Sequence, residues 1–229
     1  MQSLEGRTYL VTGGTGFLGT AVVRRLLAAG ASVHVTWFEE KELDRFEMAD
    51  QVTTHRVDLA DESAVETLYS SFEELDGSLH IAGGFAMAPV ADTSLEDFTS
   101  MMRLNAETCF LCCREAVRAL RRTGGGGRLV NVIARPSLEP CGGMLAYSTS
   151  KAAVASLTQC LAQEVKDEDI LVNAVAPSLM DTAANRAAMP DADFSTWPKV
   201  EEVAEAMCFL ASPENALTTG NLMPVYGKV

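Results

Sequence analysis

Short apolar runs alternate along the chain with longer stretches whose apolar positions recur every three or four residues. The short runs, at 8–11, 32–37, 51–57, 78–82, 128–133, 170–175 and 221–225, predict strands. The longer ones, at 17–29, 62–75, 94–122, 146–165 and 199–210, predict helices. Gly30 closes the first helix, and Thr93 or Ser94 is placed to cap the long one. The glycine run 124–127 ends that helix and reads as a loop before the next strand. Strands separated by helices require right-handed crossovers, so the pattern predicts an α/β protein: a doubly wound parallel sheet of about seven strands with helices on both faces. With no linker and no repeat of fixed period, residues 1–229 read as one domain.

Charge narrows the possible functions. Asp and Glu number 31 against 18 Lys and Arg, a formal net charge of −13. Such a chain repels phosphate backbones and anionic lipid, so neither nucleic acid nor a membrane is an expected partner. No apolar run reaches the roughly 18 residues of a membrane span. No apolar stretch follows a basic start, so the expected location is cytoplasmic. Six irregularly spaced cysteines do not make a disulfide framework. Cys109 and Cys112 share a helical face, but no second Cys or His pair accompanies them. They read as small buried hydrophobes, and no metal is expected. His34, His55 and His80 are far apart in sequence and read as structural.

Candidate chemistry begins at Thr12-Gly13-Gly14-Thr15-Gly16-Phe17-Leu18-Gly19, between the first strand and the first helix. Glycines at this turn let the backbone approach a pyrophosphate, and the helix N-terminus supplies N–H donors and the positive end of a dipole. The context makes this a Rossmann-type dinucleotide loop. The position at the end of the second strand that reads the ribose is Trp37, neither acid nor arginine. Glu39 and Glu40 follow, so NADP or NAD is left open, with a lean to NADP. Asp58, with Leu59, is either an adenine contact or a helix-capping or solvated acid. Ala82, Gly83 and Gly84 let backbone pack against the cofactor.

Tyr147 and Lys151 stand four apart on one helix face. A phenol with a pKa near 10 can serve as a proton donor, and a neighbouring ammonium would pull that pKa down.

Together these residues, with Asn105 and Val172-Asn173-Ala174-Val175-Ala176-Pro177, resemble the short-chain dehydrogenase/reductase family over the whole chain. The resemblance implies hydride transfer at a nicotinamide, with Tyr147 as proton donor, Lys151 tuning it and Asn105 supporting a water that relays protons to Lys151. It implies that Ile133, Pro177, Ser178 and Leu179 line the cofactor, that Thr182 holds its carboxamide, and that a small-molecule substrate meets Phe85, Ala134, Arg135, Met144 and Trp197. It also implies a homodimer or homotetramer. Small and apolar residues on both long helices (Ala106, Cys109, Cys113, Ala152, Ala155 and Leu157) suggest a second buried face there.

One departure matters. Thirteen residues before Tyr147, where the family carries a serine, stands Ala134, and Ser137 beyond Pro136 is a poor substitute. Losing such a donor costs a few kcal/mol of transition-state stabilisation in carbonyl reduction. Residues 185–197, the Ala-Gly-Gly-Phe stretch at 82–85 and the missing serine are similar to quinonoid dihydropteridine reductases, whose substrate is protonated on nitrogen. Trp37, Asn105, Pro136 and Pro140 depart from that pattern. Two alternatives stay open, a general carbonyl reductase lacking the serine and a non-catalytic NAD(P)-binding redox sensor.

Overall fold

The computed structural model describes residues 3–124 and 126–229; Met1, Gln2 and, within the glycine run, Gly125 lie outside the described residues. In chain order the elements are β1 (Thr8–Thr12), α1 (Phe17–Ala28), β2 (Ser32–Trp37), α2 (Glu40–Leu43), β3 (Thr53–Arg56), α3 (Glu62–Ser70), β4 (Gly77–His80), α4 (Leu95–Met101), α5 (Thr108–Thr123), β5 (Gly127–Val132), α6 (Arg135–Leu138), α7 (Leu145–Glu164), β6 (Ile170–Pro177), α8 (Ala183–Ala188), α9 (Val200–Ala211) and β7 (Leu222–Val225). The strands form one parallel sheet in the order β3-β2-β1-β4-β5-β6-β7. The order reverses between β1 and β4, and ligands of open α/β sheets bind in the crevice at such a point.

Burial on both faces explains the apolar strands. Val11, Val33 and Val35 pack with Val22 and Leu26 of α1 and Met207 of α9. Leu10, Leu129 and Val172 face the other layer, with Leu68 of α3 and Leu111, Ala116 and Leu120 of α5. All eight residues of β6 are buried, as a central parallel strand requires. Among the described residues no helix is long and apolar enough to cross a membrane.

Several expected elements differ from the observed ones. The helix expected over 94–122 is two helices joined by a π turn, Met102–Glu107, whose wider winding places Asn105 inward. Its start is as expected: Ser94 Oγ accepts from Asp97 N (3.0 Å), and Asp97 Oδ2 accepts from Ser94 N (3.0 Å). α3 stops at Ser70 rather than 75, where Ser70 and Ser71 turn their hydroxyls back onto the carbonyls of Thr67 and Leu68. Gly124, at φ +131°, ends α5, whereas Gly127 is already in β5. Cys109 and Cys112 are buried, as read from the sequence, and Cys113 and Ala155, named for a second buried face, are buried within the subunit. The exposed apolar residues of that region are Leu104 and Phe110.

β2 and β3 carry a histidine pair, with His34 Nδ1 2.9 Å from His55 Nε2 and the His34 ring on Phe72 at 4.7 Å. Burial lowers both imidazoles from 6.5, and His55 lowers His34 further. The unfolded chain therefore binds protons first. The stability this pair contributes is complete above pH 6.5 and is lost as pH falls through the folded values. We expect the thermal midpoint to fall between pH 7 and 5 more steeply in the native protein than in His55→Gln. Equal slopes in parallel melting series would refute it.

Candidate active site

Three strand ends build the phosphate loop. Thr12 Oγ1 accepts from Ile81 N (3.2 Å) and Ala82 N (3.3 Å), which holds the end of β1 to the segment after β4. Gly13 takes φ +63°, and a Cβ there would lie 2.9 Å from Ala82 Cα. A Cβ on Gly19 would meet Gly14 Cα at 2.6 Å and the Gly13 carbonyl oxygen closer still. Gly13 N donates to Thr36 Oγ1 (3.3 Å). Gly16 is the extended N-cap of α1 with no side-chain cap, leaving the first-turn N–H groups to an anion. Phe17 projects outward while Leu18 anchors the helix in the core. Residues 12–19 thus meet as the sequence predicts.

The ribose side holds two groups that the sequence reading missed. β2 and β3 pair Trp37 with Arg56, whose guanidinium lies over the indole at 5.5 Å. An arginine does stand beside position 37, brought by the neighbouring strand. Glu42 Oε2 accepts from Thr15 Oγ1 (3.1 Å) and Phe38 N (3.4 Å), so the acid nearest the phosphate loop is Glu42. Glu39 is paired with Lys41, and Glu40 with Arg56 at 3.7 Å. Asp58 is exposed and binds Ala60 N (2.9 Å), while the cap of α3 is Asp61; the helix-cap alternative for Asp58 is set aside. Leu59 packs on the core.

At the chemical centre Tyr147 and Lys151 rise from the first turns of α7. Lys151 is buried and donates from Nζ to Val132 O (2.9 Å). Burial pushes its ammonium down to about 8 and the Tyr147 phenol up to about 12. The expected depression of the tyrosine drew on an oxidised nicotinamide as well as on the ammonium; within the chain alone, burial raises the phenol. Asn105 Nδ2 donates to Gly84 O (3.0 Å) and Ser150 Oγ (3.1 Å), and Oδ1 accepts from Gly84 N (3.1 Å). It clamps the loop after β4 to α7. A Cβ on Gly83 would collide with Asn105 Oδ1 and sit 3.3 Å from Lys151 Nζ, so glycine there lets backbone approach the lysine.

The substrate side is shaped by Phe85, edge-on to Tyr147 at 4.9 Å. Ala88 bridges Met144 and its N–H donates to Gly143 O (2.9 Å), which joins the Phe85 loop to the start of α7. Ala134 is buried, and the Ser137 hydroxyl is turned onto its main chain: Ser137 Oγ donates to Ala134 O (2.5 Å). Arg135 binds Glu139 (2.8 Å) and the Val229 carbonyl (2.8 Å) and covers Tyr226, so its guanidinium is not free for a substrate. Trp197 is buried against Phe194 (4.9 Å), and Arg186, over the Phe194 ring, makes two bonds to Asp181. Trp197 thus anchors the 181–199 segment rather than presenting an open ring.

Around the cofactor crevice, Ile133 is buried and bonded to Val175 O (2.9 Å). Pro177 ends β6. Ser178 Oγ donates to Tyr226 O (2.8 Å), Leu179 is half-buried in the same turn, and Thr182 Oγ1 caps α8 by accepting from Asn185 N (3.2 Å) while keeping its own proton to donate.

Residues 16–227 match the family described as enoyl-(acyl carrier protein) reductase. The chain belongs to the short-chain dehydrogenase/reductase family. It is 31% identical to a short-chain type dehydrogenase/reductase of Picea abies, over 98% of this chain and 92% of that one. It is 28% identical to the 3-oxoacyl-(acyl-carrier-protein) reductase FabG of Rickettsia bellii, over 99% and 98%. A solved short-chain type dehydrogenase/reductase from Mycobacterium ulcerans superposes with a TM-score of 0.91 at 28% identity, covering 99% of this chain and 90% of that one. The chain is accordingly an NAD(P)-dependent oxidoreductase.

Proposed function

We propose that this protein reduces a conjugated imine, of the quinonoid dihydropteridine kind, with Tyr147 as the proton donor. One observation carries the reading. Ala134 supplies no hydroxyl beside Tyr147, and Ser137 spends its own on the Ala134 carbonyl. Carbonyl reduction develops an oxyanion that needs such a donor. Imine reduction is protonated on nitrogen, for which one positioned acid suffices. Phe85 beside Tyr147 offers a flat face to a fused ring, and the likeness of 185–197 to quinonoid dihydropteridine reductases supports the same substrate class.

The residues fit a nicotinamide dinucleotide, which supplies the hydride when bound. Residues 12–19 and the α1 N-terminus hold its pyrophosphate. Asp58 and residues 82–84 meet its adenosine half, and Ile133, residues 177–179 and Thr182 its nicotinamide half. Lys151 fixes the nicotinamide ribose. Tyr147 gives its phenolic proton to the substrate nitrogen, and Asn105 keeps Gly84 and α7 in register. Homodimer or homotetramer formation belongs to the same reading, through the exposed Leu104 and Phe110 near α7.

The test is cofactor oxidation with quinonoid dihydropterin beside a panel of ketones, in native protein and Ala134→Ser. On the imine the serine should change kcat/KM by less than about threefold; on a ketone it should raise it about 10- to 100-fold, by restoring oxyanion stabilisation. The second reading, a carbonyl reductase, draws on the FabG likeness. It takes over if ketones are the better substrates and gain from the serine.

For the cofactor we propose a lean to NADPH that rests on Arg56 at the end of β3, against the carboxylate of Glu42. A guanidinium–phosphate contact is worth about 1.5–3 kcal/mol. Arg56→Ala should therefore raise the Kd for NADPH about 10- to 100-fold and leave that for NADH within about twofold. Equal losses in a fluorescence titration of both cofactors would remove Arg56 from that role.

A further inference from the structure

Behind the candidate active site, the core brings together three soft ligands that the sequence scatters. His80 ends β4, and Cys109 and Cys113 lie one turn apart on α5. Their ligand atoms are all within 4.8 Å of one another and all three residues are buried. Cys109 Sγ is 3.9 Å from Cys113 Sγ, and Cys113 Sγ is 3.4 Å from His80 Nδ1. Asn131 of β5, the register partner of His80, adds Oδ1 at 3.4 Å from Cys113 Sγ and 2.7 Å from His80 Nδ1.

We propose that His80, Cys109, Cys113 and Asn131 form a structural binding site for a thiophilic divalent cation, with zinc as the model ion. A tetrahedral zinc with bonds of about 2.3 Å to sulfur and about 2.0–2.1 Å to nitrogen or oxygen sets its ligands about 3.8 Å apart for S–S and about 3.6 Å for S–N or S–O. The three observed sulfur separations lie close to these. One, between His80 Nδ1 and Asn131 Oδ1, must open by about 0.7 Å to reach the value such a geometry needs.

Charge and outer contacts agree with the geometry. Two thiolates, a neutral imidazole and a neutral amide around a doubly charged cation sum to zero, which a buried setting tolerates. His80 Nε2 faces Ser78 Oγ (2.9 Å) and Tyr69 OH (3.2 Å), either of which accepts its N–H and leaves Nδ1 to the cation. Asn131 Nδ2 donates to Thr158 Oγ1 (2.9 Å), which orients Oδ1 the other way, into the cluster. A cation here would pin α5 to the strands that run on into residues 82–84 and 133–134.

The test uses the full chain with its thiols reduced, refolded in the presence of Co2+ because the site is buried. One Co2+ per chain should bind, with thiolate-to-cobalt charge-transfer bands and tetrahedral d–d bands that Zn2+ bleaches. Cys109→Ser and Cys113→Ser should each lose the spectrum. Cys141→Ser and Cys160→Ser, at exposed positions, should keep it. A variant-free measurement runs in parallel: Zn2+ should slow alkylation of Cys109 and Cys113, mapped by peptide mass, at least about tenfold more than that of Cys141 and Cys160. Absence of stoichiometric binding, a spectrum that survives loss of Cys113, or equal protection of all cysteines would each overturn the site and leave a metal-free hydrogen-bond network.

Discussion

Tyr147→Phe should lower kcat by about 10²- to 10⁴-fold on every substrate while leaving the Kd of the cofactor within about threefold, the range spanned by loss of a positioned general acid. The phenol, pushed up to about 12, is protonated throughout the physiological range. Residue 134 has no hydroxyl, Ser137 donates to the Ala134 carbonyl, and Lys151 gives one of its N–H groups to Val132 O. The lost oxygen removes a proton source and little packing, since the Phe85 contact is with the ring. Single-turnover hydride transfer separates this loss from product release. A rate within about threefold of native would sink Tyr147 as the acid, and cofactor binding without turnover in the native protein would favour a sensor.

The second large effect is expected at Gly19. A Cβ there overlaps main-chain atoms of Gly13 and Gly14, which no rotamer change can relieve. The turn must open, and the N–H groups that face the pyrophosphate move with it. Gly19→Ala should raise the Kd of either cofactor at least about 100-fold, equivalent to about 3 kcal/mol, with the far-ultraviolet circular dichroism retained. Gly142→Ala is the control, since a Cβ there meets nothing within 4 Å. Unchanged cofactor affinity in Gly19→Ala would show that residues 13–19 do not cradle the phosphates.

What the sequence disclosed is what lies close together along it. Residues 12–19 sit in one turn, and Tyr147 and Lys151 on one helical face, so spacing suffices to find them. The π turn at 102–107 escaped because its composition is that of ordinary helix. Arg56 on Trp37, Glu42 on Thr15, and His80 beside Cys109 and Cys113 escaped for another reason. Each depends on which elements neighbour one another in space, through strand register for Trp37 with Arg56 and His80 with Asn131, and through helix packing for Glu42 of α2 and the α5 cysteines. Cys109, Cys113 and Ala155, named for a second buried face, are buried within the subunit by the packing of α5 and α7 on the core, which residue type along one helix does not distinguish from burial against a partner. Tyr147 shows the same limit in its energetics: a nearby lysine is visible in sequence, whereas the burial that raises the phenol is not.

The bond from Ala88 to Gly143 ties the loop bearing Phe85 to the turn that launches Tyr147. The segment proposed to line the substrate and the segment that carries the proposed proton donor are thereby joined main chain to main chain, so a shift of one is expected to be felt by the other.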